Sequence, residues 1–303
     1  MKDSQFGPVP LVSIGLPVYN GGNYLRTAID TVLKQSYRNI ELIISDNAST
    51  DATPIICREM AARDPRIRIH RNDENVGAAR NYNIVFEMSR GKYFKWAAHD
   101  DVLAPDFVER AVQVLEADPG IVLCAAKTQR INDAGDITGV YPGDATWDVA
   151  APSRRFRSLV FTPHACVAVF GLIRRDELAQ TPLIAPYVGS DRVLLAELGL
   201  RGRIHEIEAP LFFRRDHAGS SLRSFPDPRA RVAWFDPAKS ARFAFPEWHL
   251  ILGYAHAVAR APIGTAELIR CWATIARASA SQWRSLLADF KYALLGVVPK
   301  RTV

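Results

Sequence analysis

Two adjacent carboxylates follow an apolar run in the first half of the chain. Tyr93, Phe94 and Trp96 belong to a short run with the character of a buried strand, and Asp100 and Asp101 come shortly after it. Two like charges side by side repel, and they are tolerated most easily when a cation or hydrogen-bond donors neutralise them. The pair therefore indicates a site for a metal ion or sugar hydroxyls, with a solvated acidic turn as the alternative.

Units of strand, polar turn and helix surround this pair. Apolar runs that predict strands lie at residues 11–16, 40–45, 67–69 and 121–126, with helical patterns between them. Alternating units of this length predict an α/β fold with a mostly parallel sheet and helices on both faces. Because polar loops at the carboxyl ends of such strands converge, Asp46, Asn75 and Asp100 are predicted to line one crevice.

Four ordered motifs carry a family resemblance. They are PVYNGGNYL from Pro17, ELIISDNASTDAT from Glu41, NVGAARN from Asn75 and the HDD turn at His99. In this order and spacing they resemble the nucleotide-sugar half of family 2 glycosyltransferases with a Rossmann-like GT-A fold. The resemblance implies an inverting transfer of a sugar from a nucleoside-diphosphate sugar to an acceptor hydroxyl, in the synthesis of a cell-surface polysaccharide or glycolipid.

The resemblance also implies roles in donor binding. Pro17, Tyr19 and Asn20 would pack around the nucleobase, and Asp46 would accept a hydrogen bond from it. A carboxylate can only accept, so it selects an imide N–H such as that of uracil or thymine. A helix cap is the alternative role of Asp46. The other predicted donor-binding residues are Asn47, Asn75, Gly77, Arg80 and Asp100.

The turn from Asn75 to Gly77 enters a helix, and Arg80 follows one turn later. This arrangement suits a diphosphate, because helix-start N–H groups and a guanidinium both favour anions. A solvated helix residue or a structural ion pair would explain Arg80 equally well. Segment 209–223 resembles the part of the family that folds back over the donor, and its candidate phosphate ligands are Arg214, Ser220, Ser221 and Arg223.

The acidic turn departs from the common family pattern. Many relatives have Asp-x-Asp, whereas Ala98 stands at the first of these positions here. The resemblance implies that Asp100 or Asp101 coordinates Mg²⁺ or Mn²⁺ at the diphosphate, while the other holds the ribose or a sugar hydroxyl. His217 is the candidate third ligand, with a structural histidine as the alternative.

Asp191 stands at the start of the helical pattern DRVLLAELGLRG. In the resembling family an acid at this place is the catalytic base that deprotonates the acceptor hydroxyl. Many relatives carry Glu-Asp there, so Ser190 is a small departure and Asp191 matches. An N-cap role for Asp191 is compatible with the catalytic one.

The chain is predicted to contain a GT-A domain and a C-terminal extension. The domain takes residues 1–225, with a donor half at about 10–130 and an acceptor half at about 131–225, and the extension takes 226–303. Prolines break the chain from Pro226, and helical patterns follow at 248–261 and 266–295. Packing on the domain is the default for these helices; a homodimer or a peripheral membrane contact are the alternatives.

Composition adds limits on partners and location. The net charge of +6 fits an anionic nucleotide donor or lipid surface, but it is not concentrated in the arrays typical of nucleic-acid binding. The densest cluster, at 154–157, is expected to be a solvated loop. Four cysteines without metal spacing and no signal peptide predict a cytoplasmic protein, with association at the inner membrane face as an extension.

These patterns lead to three hypotheses for the function. No run reaches the roughly 18 uncharged residues of a spanning helix, so a non-processive transferase acting on a glycan or lipid-linked acceptor is predicted. A degenerate nucleotide-sugar binder is the second hypothesis, to which Ala98 lends some weight. A sugar-nucleotide pyrophosphorylase is the third, although PVYNGGNYL lacks the basic residue expected in the glycine-rich loop of those enzymes.

Overall fold

The computed structural model describes residues 9–143, 147–220, 228–237 and 245–295. The strands are β1 (Val12–Val18), β2 (Ile40–Asp46), β3 (Ile67–Arg71), β4 (Tyr93–Trp96), β5 (Val102–Leu103), β6 (Ile121–Ile131), β7 (Ile137–Val140), β8 (Leu172–Arg174) and β9 (Arg203–Arg215). The α-helices are α1 (Leu25–Leu33), α2 (Thr53–Arg63), α3 (Ala78–Glu87), α4 (Phe107–Ala117), α5 (Pro152–Phe161), α6 (Arg175–Leu178), α7 (Ser190–Arg201), α8 (Pro228–Phe235), α9 (Pro246–Arg260), α10 (Thr265–Ser281) and α11 (Trp283–Leu295).

One sheet runs through the molecule in the order β3-β2-β1-β4-β8-β6-β9-β5, with β7 paired to β6. The first four strands are parallel, as predicted. Strand β8 runs antiparallel to both β4 and β6, and it joins the two halves. Strand β5 pairs with β9, so the chain crosses from the centre of the sheet to its far edge between β4 and β5. The acidic turn lies in this crossing.

Alternating side chains of the central strands fill two hydrophobic cores, because successive residues of a strand point to opposite faces. All seven residues of β1 are buried, and Ile14 and Leu16 belong to the core beneath α1, α2 and α4. Phe94 and Trp96 of β4 belong to the other core, with α3, α5 and α7. The α/β fold with helices on both faces is thereby confirmed.

The C-terminal helices pack on the second core. Tyr254, Ala257 and Val258 of α9 and Cys271 of α10 are buried in the same cluster as residues of α5 and α7. The single helical pattern expected to end at Leu295 is two helices, since α10 ends at Ser281 and α11 begins at Trp283. None of the helices in the described part of the chain is long and apolar enough to span a bilayer.

The cluster at 154–157 is helical, so the expectation of a solvated loop is wrong. Arg154 is exposed, but Arg155 is only 3% exposed, and its guanidinium is held by backbone carbonyls. It donates to the oxygens of Gly199 at 2.6 Å, Val149 at 2.6 Å and Ala150 at 2.7 Å. Arg155 therefore ties the start of α5 to the end of α7.

Arg155→Met should lower the free energy of unfolding by about 1–3 kcal/mol, because buried carbonyls lose their donor. Urea denaturation measures this change. Arg154→Met is the matched control, since it removes the same group from an exposed position of the same helix. Equal stability of the two variants would contradict a structural role for the Arg155 guanidinium.

Candidate functional site

A cleft of about 320 Å³ opens where the parallel strands end. It is bounded by the loops after β1, β2 and β4, the start of α3 and the segment after β9. Of the residues predicted from sequence, it brings together Pro17, Tyr19, Asn20, Asn47, Asn75, Asp100, Asp101, Arg214 and Ser220. Ser221 and Arg223 lie outside the described residues.

The loop after β1 presents Tyr19 to the cleft, with 43% of its surface exposed. Asn20 has a left-handed backbone, at φ 51°. Its side-chain oxygen accepts the N–H of Thr50 at 2.9 Å, and its own N–H donates to Ser49 Oγ at 2.9 Å. Asn20 thus fastens the first turn to the second, while the ring of Tyr19 remains available to a ligand.

Asp46 is buried behind this surface and is not among the residues that line the cleft. One carboxylate oxygen accepts the N–H of Ser49 at 2.9 Å, and the other accepts the Arg71 guanidinium. The bond to Ser49 closes the turn after β2, but the helix cap foreseen as the alternative is not found, because α2 begins at Thr53 with Ala52 as its N-cap and no side-chain cap. Arg71 was not singled out in the sequence, although the parallel register of β2 and β3 places it beside Asp46.

Asparagine side chains fix the turn that enters α3. Asn47 donates to Asn75 Oδ1 at 2.8 Å and accepts from the Val76 N–H at 3.0 Å and from Asn72 Nδ2 at 2.9 Å. Asn75 Oδ1 also accepts the N–H of Gly77 at 2.9 Å. Asn47 and Asn72 are buried and Asn75 is exposed, so satisfied buried amides favour one arrangement of the turn at the helix start. Asn72 could not be recognised from the sequence motifs.

Gly77 has φ 84°, a conformation that glycine adopts most readily. A Cβ on this residue would lie 2.7 Å from the carbonyl oxygen of Phe235 and 2.5 Å from Pro237 Cδ. The segment after α8 therefore lies directly over the turn, and Trp234 of α8 lines the cleft.

Arg80 is not brought to the cleft. It pairs with Glu87 on the outer side of α3, where about half of each side chain is exposed. The arginines of the cleft are instead Arg214 and Arg215. Arg215 went unnoticed in the sequence; its guanidinium lies 4.7 Å from the ring centre of Tyr24 and donates to the carbonyl of Asp100 at 3.0 Å.

The two carboxylates of the acidic turn point to different partners. Asp100 Oδ2 lies 2.9 Å from His217 Nε2. Asp101 is 7% exposed, and its Oδ1 accepts the N–H of Arg215 at 2.9 Å. Burial and the charge of Asp100 raise the pKa of Asp101 to about 7. Asp100 therefore faces the histidine, while Asp101 anchors the end of β9.

A buried lysine stands beneath this turn. Lys95 is fully buried in β4, where its ammonium donates to the carbonyl of Phe170. Burial lowers the pKa of Lys95 to about 7, and the charge of Asp101 acts in the opposite direction. The apolar run that predicted β4 also contains this lysine, whose interior position the sequence did not reveal.

The Asp100–His217 pair fits a divalent cation. Ligands at about 2.1 Å from an octahedral ion stand about 3 Å from their neighbours, close to the observed separation of these two donors. Among the described residues there is no cluster of three or more His, Cys, Asp or Glu side chains suited to a metal. The protein can therefore supply two ligands, and Mg²⁺ typically takes its remaining ones from substrate phosphates and water.

Asp191 lies in the first turn of α7, one residue inside the helix, so the N-cap expected as its structural role belongs to Gly189. Its carboxylate accepts the N–H of Arg192 at 2.9 Å. Burial raises the pKa of Asp191, and the hydrogen bond from Arg192 opposes the increase. Burial also raises the pKa of the Cys166 thiol, and the charge of Asp191 adds to that increase; the sequence did not reveal this neighbour.

Tyr82 lines the cleft, and the charge of Asp191 acts on it. Burial is the largest cause of the raised pKa of Tyr82, followed by the charges of Asp100 and Asp101, and the charge of Asp191 also contributes. The negative charges of three carboxylates thus act on one tyrosine. The site combines an arginine suited to an anion, two side chains suited to a cation and a partly buried carboxylate.

Comparison with known proteins identifies the family of this chain. Residues 13–180 match the model of the family described as "Glycosyl transferase family 2". The chain is 34% identical over 114 residues to glycosyltransferase GlyG of Streptococcus pneumoniae, covering 37% of this chain and 38% of that protein. It is 42% identical over 115 residues to the uncharacterized glycosyltransferase RP339 of Rickettsia prowazekii, covering 38% and 34%. The matches thus span well under half of these relatives.

Solved structures resemble nearly the whole chain. S. aureus TarS 1–349 in complex with UDP-GlcNAc has a TM-score of 0.65 at 13% identity, covering 95% of this chain and 81% of that one. Mannosyltransferase PcManGT from Pyrobaculum calidifontis, in complex with GDP-Man and Mn²⁺, has a TM-score of 0.52 at 19% identity, covering 95% and 88%. At these identities the likeness shows a shared fold.

Proposed function

Because the chain belongs to glycosyl transferase family 2, we propose that it transfers a sugar from a nucleoside-diphosphate sugar to an acceptor hydroxyl with inversion. The observation that carries this proposal is that Asp100 and Arg214 line one cleft, while His217 pairs with Asp100 and the charge of Asp191 acts on Tyr82 of the same cleft. Cation ligands and a guanidinium suit a diphosphate, and a partly buried carboxylate suits a base. We assign the enzyme to the synthesis of a cell-surface polysaccharide or glycolipid, one sugar per encounter.

The donor is proposed to lie along the cleft from Tyr19 to Asp100. The ring of Tyr19 packs against the nucleobase, and the ion pair between buried Asp46 and half-exposed Arg71 holds the loop beneath it. Asp100 and His217 would hold Mg²⁺ or Mn²⁺, which would supply positive charge to the leaving diphosphate. Arg214 adds the positive charge of a guanidinium to the same cleft. The UDP-GlcNAc and GDP-Man complexes of the structural relatives support a donor of this class.

Asp191 is proposed to accept the proton of the acceptor hydroxyl. The hydroxyl oxygen forms a bond to the anomeric carbon as the bond from that carbon to the diphosphate oxygen breaks. The proton goes to the carboxylate, and the bonding electrons leave with the nucleoside diphosphate. Attack on the face opposite the leaving group inverts the configuration. A carboxylate with a raised pKa is a better proton acceptor than an exposed one.

A thermal-shift screen of nucleotide sugars with Mn²⁺ tests the donor. A ligand at 100 times its dissociation constant adds about 2.7 kcal/mol of stability, which is readily measured. A competent transferase also releases nucleoside diphosphate slowly in the presence of metal. Binding without such release would favour a degenerate binder. If no nucleotide sugar stabilised the protein, the proposal would be contradicted.

The pH dependence of transfer should report the ionisation of Asp191. Activity is expected to fall as pH drops through the pKa of Asp191, which burial places above its ordinary value of 3.8. The residual activity of Asp191→Asn should lack this acid limb, because the amide has no carboxylate to protonate. An acid limb with the same midpoint in both proteins, read from kcat/KM for the acceptor, would contradict the assignment.

A further inference from the structure

The outer face of α10 and α11 carries a row of exposed apolar side chains, called here the apolar stripe. Its five members are between 43% and 64% exposed, and they are Ile269, Trp272, Trp283, Leu287 and Phe290. Single exposed apolar residues are ordinary on a protein surface, whereas several on one face are typical of an interaction surface. They are separated by 3, 11, 4 and 3 residues, close to whole turns of a helix.

The apolar stripe continues across the junction between the two helices. The N–H of Gln282 donates to the carbonyl of Ala278, and the N–H of Leu286 donates to that of Gln282, both at 3.0 Å. Helical hydrogen bonds therefore lead into the junction and out of it. The buried face also keeps its spacing, with Ile275 and Ala278 before the junction and Leu286 after it. The opposite face, with the apolar stripe, thus points outward along both helices.

Arginines border the apolar stripe along one edge. Arg270, Arg277 and Arg284 recur every seven residues, which is close to two helical turns. Arg277 and Arg284 are exposed and form no ion pair among the described residues. Their guanidinium groups lie 5.8 Å from the ring centre of Phe161 and 5.4 Å from that of Trp283. Positive charge and aromatic surface therefore adjoin each other on this face.

Only two carboxylates occur within residues 265–290, and neither opposes Arg277 or Arg284. Glu267 pairs with Arg270 and accepts the N–H of Ser153 at 2.7 Å. Asp289 is buried and accepts the N–H of Glu247 at 2.9 Å, at the start of α9. The outer face thus combines apolar surface with uncompensated positive charge.

An anionic phospholipid surface matches this combination. Tryptophan rings favour the boundary between acyl chains and head groups, and neighbouring arginines can reach lipid phosphates. A second copy of the same face would bring further arginines without an available carboxylate, so like charges would meet. The net charge of +6 also favours attraction to an anionic surface.

We propose that the apolar stripe and its arginine edge dock the protein on an anionic phospholipid membrane, with α10 and α11 lying in the plane of the head groups. None of the five residues of the stripe lines the donor cleft. The docking surface is therefore separate from the site of sugar transfer, and the inference does not depend on the proposed function.

Flotation with liposomes tests the proposal. The parent should float with vesicles of equal parts phosphatidylglycerol and phosphatidylcholine, and much less with vesicles of phosphatidylcholine alone. Arg277→Glu combined with Arg284→Glu should weaken binding to the anionic vesicles at least about tenfold, because each basic residue near such a surface adds to the attraction. Ile269→Ser should weaken it about threefold or more, because less apolar surface enters the membrane.

Matched controls lie on α2, which packs on the other core. Arg58→Glu combined with Arg63→Glu makes the same change of charge at exposed positions, and Ile55→Ser removes the same apolar side chain from one. Both controls should bind the anionic vesicles as the parent does. All the changed side chains are exposed, so we expect every variant to keep the Tm of the parent.

Three outcomes would overturn the proposal. The first is that the parent shows no preference for the anionic vesicles. The second is that the variants on α2 lose as much binding as those on α10 and α11, because binding would then follow the net charge alone. The third is that sedimentation without lipid shows a dimer that Ile269→Ser dissociates, which would assign the apolar stripe to a second copy of the chain.

Discussion

Asp191→Asn should reduce sugar transfer by about 10²- to 10⁴-fold while donor binding persists, because a general base acts only in the transition state. The amide keeps the shape of the side chain and can still accept the N–H of Arg192, but it cannot take a proton at neutral pH. Single-turnover transfer measures the chemical step, and calorimetry with the nucleoside diphosphate measures binding.

The stability of this variant distinguishes catalysis from folding. Burial raises the pKa of Asp191 above its ordinary value, so ionisation is disfavoured in the folded state. The stability contributed by the protonated carboxyl is then lost as pH rises through the folded-state pKa. Asparagine removes this cost at neutral pH, and we expect the Tm of Asp191→Asn to equal or exceed that of the parent.

The matched control is Asp176→Asn, which makes the same change in the first turn of α6 at an exposed position. This control should transfer sugar at the parent rate. If Asp191→Asn also transferred within threefold of the parent, with chemistry rate-limiting, Asp191 would serve only the start of α7. The base would then have to be another residue of the acceptor half.

Asp100→Asn should weaken metal-dependent donor binding by at least about 10- to 100-fold. Losses of this size are typical when a residue that only supports a metal ligand is changed, and Asp100 is proposed to be a ligand itself. His217→Ala should have a similar effect, because the two side chains form one pair at 2.9 Å. Asp101→Asn should affect metal-dependent binding less, since Asp101 faces the Arg215 N–H and an amide oxygen can accept that bond.

Titration of UDP and GDP with and without Mn²⁺ measures the metal-dependent part of donor binding. Asp73→Asn, a charge-matched change at an exposed position outside the cleft, is the control. If Mn²⁺ increased the affinity for UDP and GDP as much in both Asp100→Asn and His217→Ala as in the parent, the proposed cation site would be rejected. A larger loss in Asp101→Asn than in Asp100→Asn would reverse the roles given to the two carboxylates.

Much of the fold could be predicted because its signals are local. The apolar runs that became β1 and β2 are continuous, as expected for parallel strands covered on both faces, and the polar turns after them stand next to them in the chain. The convergence of Asn75 and Asp100 on one cleft follows from this topology. The break between α10 and α11 was missed because the helical pattern continues across Gln282.

The contacts that give similar side chains of the site different roles join residues that lie far apart in the sequence. Asp100 and His217 are 117 residues apart, and Asp101 is bonded to a backbone N–H 114 residues away. Arg155 belongs to a cluster of arginines expected to be solvated, but it is buried, because its guanidinium donates to the carbonyl of Gly199, 44 residues away, as well as to two carbonyls just before α5. Hydrophobic periodicity in the sequence does not indicate which distant groups become hydrogen-bond partners.

The sequence by itself therefore determined the α/β architecture, the family resemblance and the set of polar side chains at the strand ends, because hydrophobic period and turn chemistry act over a few residues. Only the tertiary structure decided that Asp100 rather than Asp101 faces His217, that Arg80 lies outside the cleft and that burial raises the pKa of Asp191. The physical reason is that burial and hydrogen-bond satisfaction are set by elements that meet across the sheet, and these assign different environments to chemically similar side chains.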